Sequence, residues 1–144
     1  MKSLFIFFFT ILIFSSCTKG YDLDYKKYKS YYEVSVIYLH RNYSIFFDDS
    51  LKENVVKVDN KYPLCAELDS LFRLQPLEAV YIYKDSTIIF NAAYSGTDLK
   101  STGISLVCVN NESKINEMKT KVNELITHED KGWFKFKTTT SLAD

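Results

Sequence analysis

The sequence predicts an α+β domain: helices first, then a mostly antiparallel sheet of about four strands with one helix packed on it. Three observations carry that expectation. From Leu23 to Phe47, apolar residues recur in steps of three and four, the spacing of an amphipathic helix. Between Ala79 and Ala92, two segments rich in β-branched and aromatic residues flank Asp85-Ser86, the pattern of a hairpin. Near the C-terminal end, Phe134 and Phe136 alternate with Lys135 and Lys137, the two-residue period of a half-buried strand.

The individual elements follow from local signals. Tyr25, Tyr28, Tyr32, Val36, Leu39, Tyr43 and Phe46 form one stripe and predict a helix over 23–47. Val34, Val36 and Tyr38 also alternate, so a strand over 33–39 competes with it. Ser50-Leu51-Lys52-Glu53 has capping-box spacing and predicts a short helix through Val58, which Asp59-Asn60 ends. Pro63 suits the first turn of a third helix with Leu64, Leu68, Leu71 and Phe72 inward, and Pro76 stops it. Ala79–Lys84 and Thr87–Ala92 are the hairpin strands; 94–101, with Gly96, reads as a polar loop. Thr102 to Val109 is a third strand with Ile104, Leu106 and Cys108 on one face, broken by Asn110-Asn111. Ile115, Met118, Val122, Leu125 and Ile126 then share a stripe and predict a helix to about Thr127. Asp130-Lys131-Gly132 turns into the last strand, Trp133 to Thr138. The element order is similar to that of PAS-like and profilin-like sensory modules, with no matched motif and no internal repeat.

The first residues have a different character. Lys2 supplies a positive charge, Leu4 to Phe14 are apolar apart from Thr10, and Ser15-Ser16-Cys17 closes the run with small residues. That layout is a secretory signal, and the run is short for a bilayer span. Phe14-Ser15-Ser16-Cys17 resembles the lipobox of bacterial lipoprotein precursors, with Phe14 standing where that family usually carries Leu. The resemblance covers residues 1–17 and implies cleavage before Cys17, with acyl chains on the cysteine. It divides the chain into a signal peptide at 1–16, a lipid-anchored tether at 17–22 and a single domain over 23–144. Two or three acyl chains hold a protein on a membrane stably where one does not. Thr18, rather than Asp, follows the cysteine, which by resemblance to lipoprotein sorting rules implies outer-membrane residence.

Charge excludes several function classes. The chain carries 18 basic and 18 acidic side chains. Loss of Lys2 with the leader leaves a net charge of about −1, without the basic footprint of a nucleic-acid binder. Export to an oxidising compartment permits a disulfide between Cys65 and Cys108; two separate thiols packed as small hydrophobes is the other reading. His40 and His128 have no ligand partners at helical or strand spacing, so the expected metal and cofactor complement is none. No nucleophile or phosphate-loop motif occurs, and Cys65 and Cys108 both fall in apolar stripes that disfavour a reactive thiolate.

Tyrosine is the compositional signal. Of 11 tyrosines, seven lie between Tyr21 and Tyr43. Tyr25, Tyr28, Tyr32 and Tyr43 belong to the buried stripe, leaving Tyr21, Tyr31 and Tyr38 as candidates for gripping a partner. Asp49-Ser50-Leu51, Asp69-Ser70-Leu71 and Asp85-Ser86-Thr87 resemble O-glycosylation sites of exported proteins in one group of Gram-negative bacteria, while each serine also reads as a cap, helix surface or turn. The expectation is a non-enzymatic envelope lipoprotein that binds a protein, peptide or glycan, of inhibitor or immunity type among others. A sensory or accessory subunit of an envelope complex is the alternative, and a small hydrolase the third reading.

Overall fold

Asp24 starts the first helix: its side chain accepts from the Lys27 backbone N–H at 3.0 Å, satisfying one of the donors a helix start leaves open. The computed structural model describes residues 22–47, 54–62, 64–97, 100–120 and 123–141. The leader, the tether residues 17–21 with Cys17 and Tyr21, and the capping box at 50–53 lie outside the described residues. Helix α1 runs Tyr25–Arg41, and α2, Tyr43–Phe46, follows after Asn42. The expected strand at 33–39 is helix, because the stripe Tyr25, Tyr32, Val36 and Leu39 is buried as one face. Tyr28 departs from helical geometry and kinks the first turn. Helix α3, Ala66–Leu74, buries Leu68 and Leu71 as expected.

Seven strands form one antiparallel sheet. They are β1 Val55–Val58, β2 Leu77–Tyr83, β3 Ile88–Ala92, β4 Ser95–Thr97, β5 Lys100–Cys108, β6 Asn123–Asp130 and β7 Trp133–Ser141. Six run in the order β1-β2-β3-β5-β7-β6, and β4 pairs with β5 beside that path. The sheet is therefore wider than the four strands expected. Each of the four is present, and the additions correct the local readings. Val55–Val58 is an edge strand, not the end of a helix: its β-branched residues pair with Val80–Tyr83. The loop expected over 94–101 contains a short hairpin, with Ser95 opposite Thr102 and Thr97 opposite Lys100. The helix expected through Thr127 ends much sooner: α4 is Ser113–Met118, and Leu125 and Ile126 belong to β6. There β6 satisfies its backbone against β7, Leu125 opposing Phe136 in a hairpin closed by Gly132. Gly132 adopts φ +77°, where a side chain is strained, and an added methyl would sit 3.0 Å from the Val109 carbonyl oxygen.

Side-chain alternation assigns the two sheet faces. Val56, Val58, Val80, Ile82, Ile88, Phe90, Leu106 and Trp133 join Leu23, Tyr25, Tyr32, Leu39, Leu68 and Leu71 in the main core, so α1, α2 and α3 cover one face. Tyr25, Tyr32, Phe90 and Trp133 are its aromatic centre, with Tyr32 edge-on to Phe90 at 5.0 Å between ring centroids. On the opposite face, among the described residues, α4 is the one helix that packs, placing Ile115 and Met118 against Val107, Val109, Phe134 and Phe136. The expected helix on the sheet thus exists in shortened form, on the other side from α1–α3. Among the described residues, no helix is long and apolar enough to cross a membrane.

Candidate functional site

The part of the sheet that α4 leaves uncovered carries a cleft of about 300 Å³. Its floor comes from residues of one alternation phase: Tyr81 and Tyr83 on β2, Ile89 and Asn91 on β3, Ser105 and Val107 on β5, Phe136 and Thr138 on β7. Registers place these side by side, with Tyr81 opposite Ile89, Asn91 opposite Ser105, and Ser105 opposite Phe136. Met118 from the end of α4, Asn123 at the start of β6 and Tyr94 form the walls.

Tyr94 owes its position to an irregularity. β3 and β4 lie along the same side of β5, but Asn91 opposes Ser105 and Ser95 opposes Thr102. Three residues on one strand therefore span two on the other, which is the arithmetic of a bulge. The extra length lets the Tyr94 ring lie over Gly103: a methyl group built on Gly103 would come within 3.0 Å of the ring's Cε1. Glycine is what permits that approach. Tyr94 remains 40% exposed, so its other side faces the opening.

The polar groups are fixed by pairs. The Ser105 hydroxyl donates to Asn91 Oδ1, and the Thr138 hydroxyl donates to Asn123 Oδ1 at 2.8 Å. With their oxygens so used, both amides keep two N–H donors to offer. Burial, and secondarily the neighbouring Tyr81, pushes the Tyr83 hydroxyl above its ordinary pKa, so it stays a neutral donor and acceptor. The eleven described residues of the lining are uncharged: four aromatic, three aliphatic and four amide or hydroxyl side chains. Such a surface can stack and hydrogen-bond.

The sequence-expected residues fall elsewhere. Tyr31 and Tyr38 are half-buried on α1 against the helix-side core, across the sheet from the cleft. Tyr31 borders a second, more open groove of about 410 Å³ between α1 and α3, together with Val34 and Ser70. Tyr25 and Tyr32 are buried, and Tyr28 and Tyr43 pack against the core as the stripe implied. Cys65 and Cys108 are both free thiols, in agreement with the reading of two separate thiols rather than a disulfide. Burial pushes the Cys108 thiol up to about 11, away from thiolate chemistry. His128 stacks on Phe134 at 4.6 Å, and His40 Nε2 lies 3.2 Å from the Ser86 carbonyl oxygen. Ser70 sits inside α3 and donates to the Ala66 carbonyl, while Ser86 is the turn residue between β2 and β3. The 49–51 tripeptide lies outside the described residues. Among the described residues, no cluster of three metal-ligating side chains occurs.

Sequence reasoning passed over the cleft tyrosines because it weighed the N-terminal crowd. Tyr81 and Tyr83 alternate with Val80 and Ile82, so one face of β2 is aliphatic and the other aromatic. On a sheet covered by helices on one side, that second phase marks an exposed aromatic surface. Comparison with protein-family models, curated proteins and solved structures gives no match to this chain.

Proposed function

We propose that this protein is a non-enzymatic lipoprotein of a bacterial cell envelope, anchored at the outer membrane through acyl chains on Cys17. Its domain acts as a binding module, and the cleft on the α4 side of the sheet is its ligand site. The observation that carries the reading is the lining: aromatic faces and oriented amide and hydroxyl groups, all uncharged, on an otherwise well-covered sheet. The anchor rests on the lipobox-like residues Phe14 to Cys17. The sensory alternative favours a pocket between the sheet and its covering helices, whereas this cleft opens on the face away from α1–α3. A hydrolase reading draws no support from the described lining residues, which include no carboxylate, imidazole or thiol.

Two measurements test the proposal. Metabolic labelling with a radioactive fatty acid tags the full-length protein, and Cys17→Ala abolishes the label; a label that survives refutes the anchor. Crosslinking on intact cells then captures an envelope component with the wild-type chain. Tyr81→Ala loses that component and Arg41→Gln, on the far side of the sheet, keeps it. Equal capture by both variants refutes the cleft as the binding site.

A further inference from the structure

We infer that the ligand taken by this cleft is a neutral, hydroxyl-rich saccharide. The inference rests on the cleft being the binding site, and it adds the ligand's chemical class. Three features select that class.

The first is the absence of charge among the described residues of the lining. A phosphate, carboxylate or ammonium group entering the cleft would shed water and meet no counter-charge, an uncompensated cost. The second is the combination of ring faces with hydrogen-bonding groups. Tyr81 and Tyr83 stand two residues apart on β2, side by side on the same face, and form a platform. Asn91 and Asn123 bring amide donors to the same space, each oriented by a hydroxyl partner. A sugar ring has the matching surface: C–H groups on one face, and hydroxyl and ether oxygens around the rim. A purely apolar chain would instead leave the amides and the Tyr83 hydroxyl without partners, an uncompensated cost for each group buried that way. The third is the state of the backbone beneath. The floor strands β2, β3, β5 and β7 each pair on both sides. A peptide cannot add itself to an internal strand, since main-chain recognition of that kind needs an open edge. Recognition here runs through side chains, and about 300 Å³ is at the small end of ligand-pocket sizes, suiting one or two sugar rings.

The test is titration calorimetry on the full-length protein in detergent. The titrants are maltotriose, cellotriose and N,N′-diacetylchitobiose as neutral saccharides, a galacturonate trimer as the acidic one, adenosine, and an uncharged hexapeptide. The expected result is binding of at least one neutral saccharide, with the acidic trimer, adenosine and the peptide silent. Tyr81→Ala and Asn91→Ala weaken that binding by about tenfold or more, the size of losing one central aromatic or hydrogen-bonding contact. Tyr81→Phe, which keeps the ring, weakens it less than Tyr81→Ala, and Arg41→Gln leaves it unchanged. Far-UV circular dichroism on every variant separates lost binding from lost folding. Cleft-sensitive binding of adenosine, the peptide or the acidic trimer alone overturns the saccharide assignment while leaving the cleft as a binding site. Saccharide binding indifferent to Tyr81→Ala and Asn91→Ala overturns it by locating the sugar elsewhere. If no titrant binds, the saccharide inference also fails, and crosslinking with Tyr81→Ala judges the binding-module reading separately.

Discussion

Replacing Tyr32 with phenylalanine should stabilise this protein, although it removes a polar group from a residue at the centre of the core. Tyr32 is fully buried, with its ring edge-on to Phe90 at 5.0 Å and within 5.9 Å of Tyr25 and Trp133. Its hydroxyl has no hydrogen-bond partner among the described residues. A buried polar group in that state costs about 1–3 kcal/mol, while phenylalanine keeps every ring contact. The expected gain is about 1 kcal/mol, or about 3–6 °C in the melting temperature of a domain this size. Urea denaturation of Tyr32→Phe and Tyr32→Ala gives both signs, since truncation to alanine empties the aromatic centre and costs about 3–5 kcal/mol. A second readout comes from pH. Burial, then the charges of Asp24 and Asp22, raises the Tyr32 hydroxyl above its ordinary value of 10.0. Above pH 10 the native state therefore retains a proton that the unfolded chain has lost. Stability is complete below that pH and falls above it by about 1.4 kcal/mol per pH unit for this group. Tyr32→Phe removes that contribution and makes the alkaline limb shallower. A loss of more than about 1 kcal/mol in Tyr32→Phe, or an unchanged alkaline slope, would refute the reasoning.

Other perturbations test the hairpin, the buried thiol and the cleft wall. Ser86 holds φ +68° between β2 and β3, so Ser86→Gly should raise stability by about 0.5–1 kcal/mol in the same urea assay. The Cys108 thiol, raised by burial from 9.0 to about 11, keeps its proton in the folded state between those values while the unfolded chain loses it. The native protein therefore loses stability across that window, and at pH 8 Cys108 should react with a disulfide reagent only after urea is added; mass spectrometry of the labelled peptide reads this directly. Gly103→Ala forces the Tyr94 ring to shift by a few tenths of an ångström, and Gly103→Val forces it further. Both should alter ligand affinity in the cleft more than they alter the urea midpoint, whereas equal effects would mean that Tyr94 serves only to pack. Lys135 bridges Asp22 at 3.0 Å and the nearly buried Glu129 at 3.7 Å, so Lys135→Met should cost about 1–2 kcal/mol by leaving Glu129 to the Thr127 hydroxyl, and a second change, Glu129→Leu, should recover much of it.

The legible parts of this fold are those where one period dominates. The stripe from Tyr25 to Leu39, the Leu68–Leu71 helix and the strands around Ile82 and Phe90 bury the helix-side face, the alternating Phe134 and Phe136 bury the other, and pattern alone finds them. The failures are short or irregular. β1 has four residues, β4 has three, and β6 is broken by register shifts at Leu125/Thr127 and His128/Asp130. Those shifts destroy the alternation, and the leftover spacing of Ile115, Met118, Leu125 and Ile126 coincides with a helical stripe. Pairing with β7 then decides the matter, because a strand beside an existing edge satisfies its backbone at once. The cleft was illegible for a related reason. Its residues come from β2, β3, β5, β6, β7, the end of α4 and the Tyr94 bulge, and only the strand order brings them together.

Why the cleft survives as a cleft follows from how few residues α4 contributes. Helices α1–α3 cover one face of the sheet completely enough to bury Val58, Val80, Ile82, Ile88 and Leu106 fully. On the other face, α4 has six residues and buries only Ile115. That suffices for the Val107–Phe134–Phe136 end of the sheet and leaves the Tyr81–Asn91–Ser105 region to side chains that tolerate water. The first described residue lies on the opposite side: Asp22 pairs with Lys135, which stands beside Leu106 on the helix-covered face. Asp22 and the opening of the cleft thus belong to different faces of one sheet. Under the proposed acylation of Cys17, five residues before Asp22, the bilayer would lie within about 18 Å of Asp22 along the chain, on the side of the sheet away from the tyrosine platform.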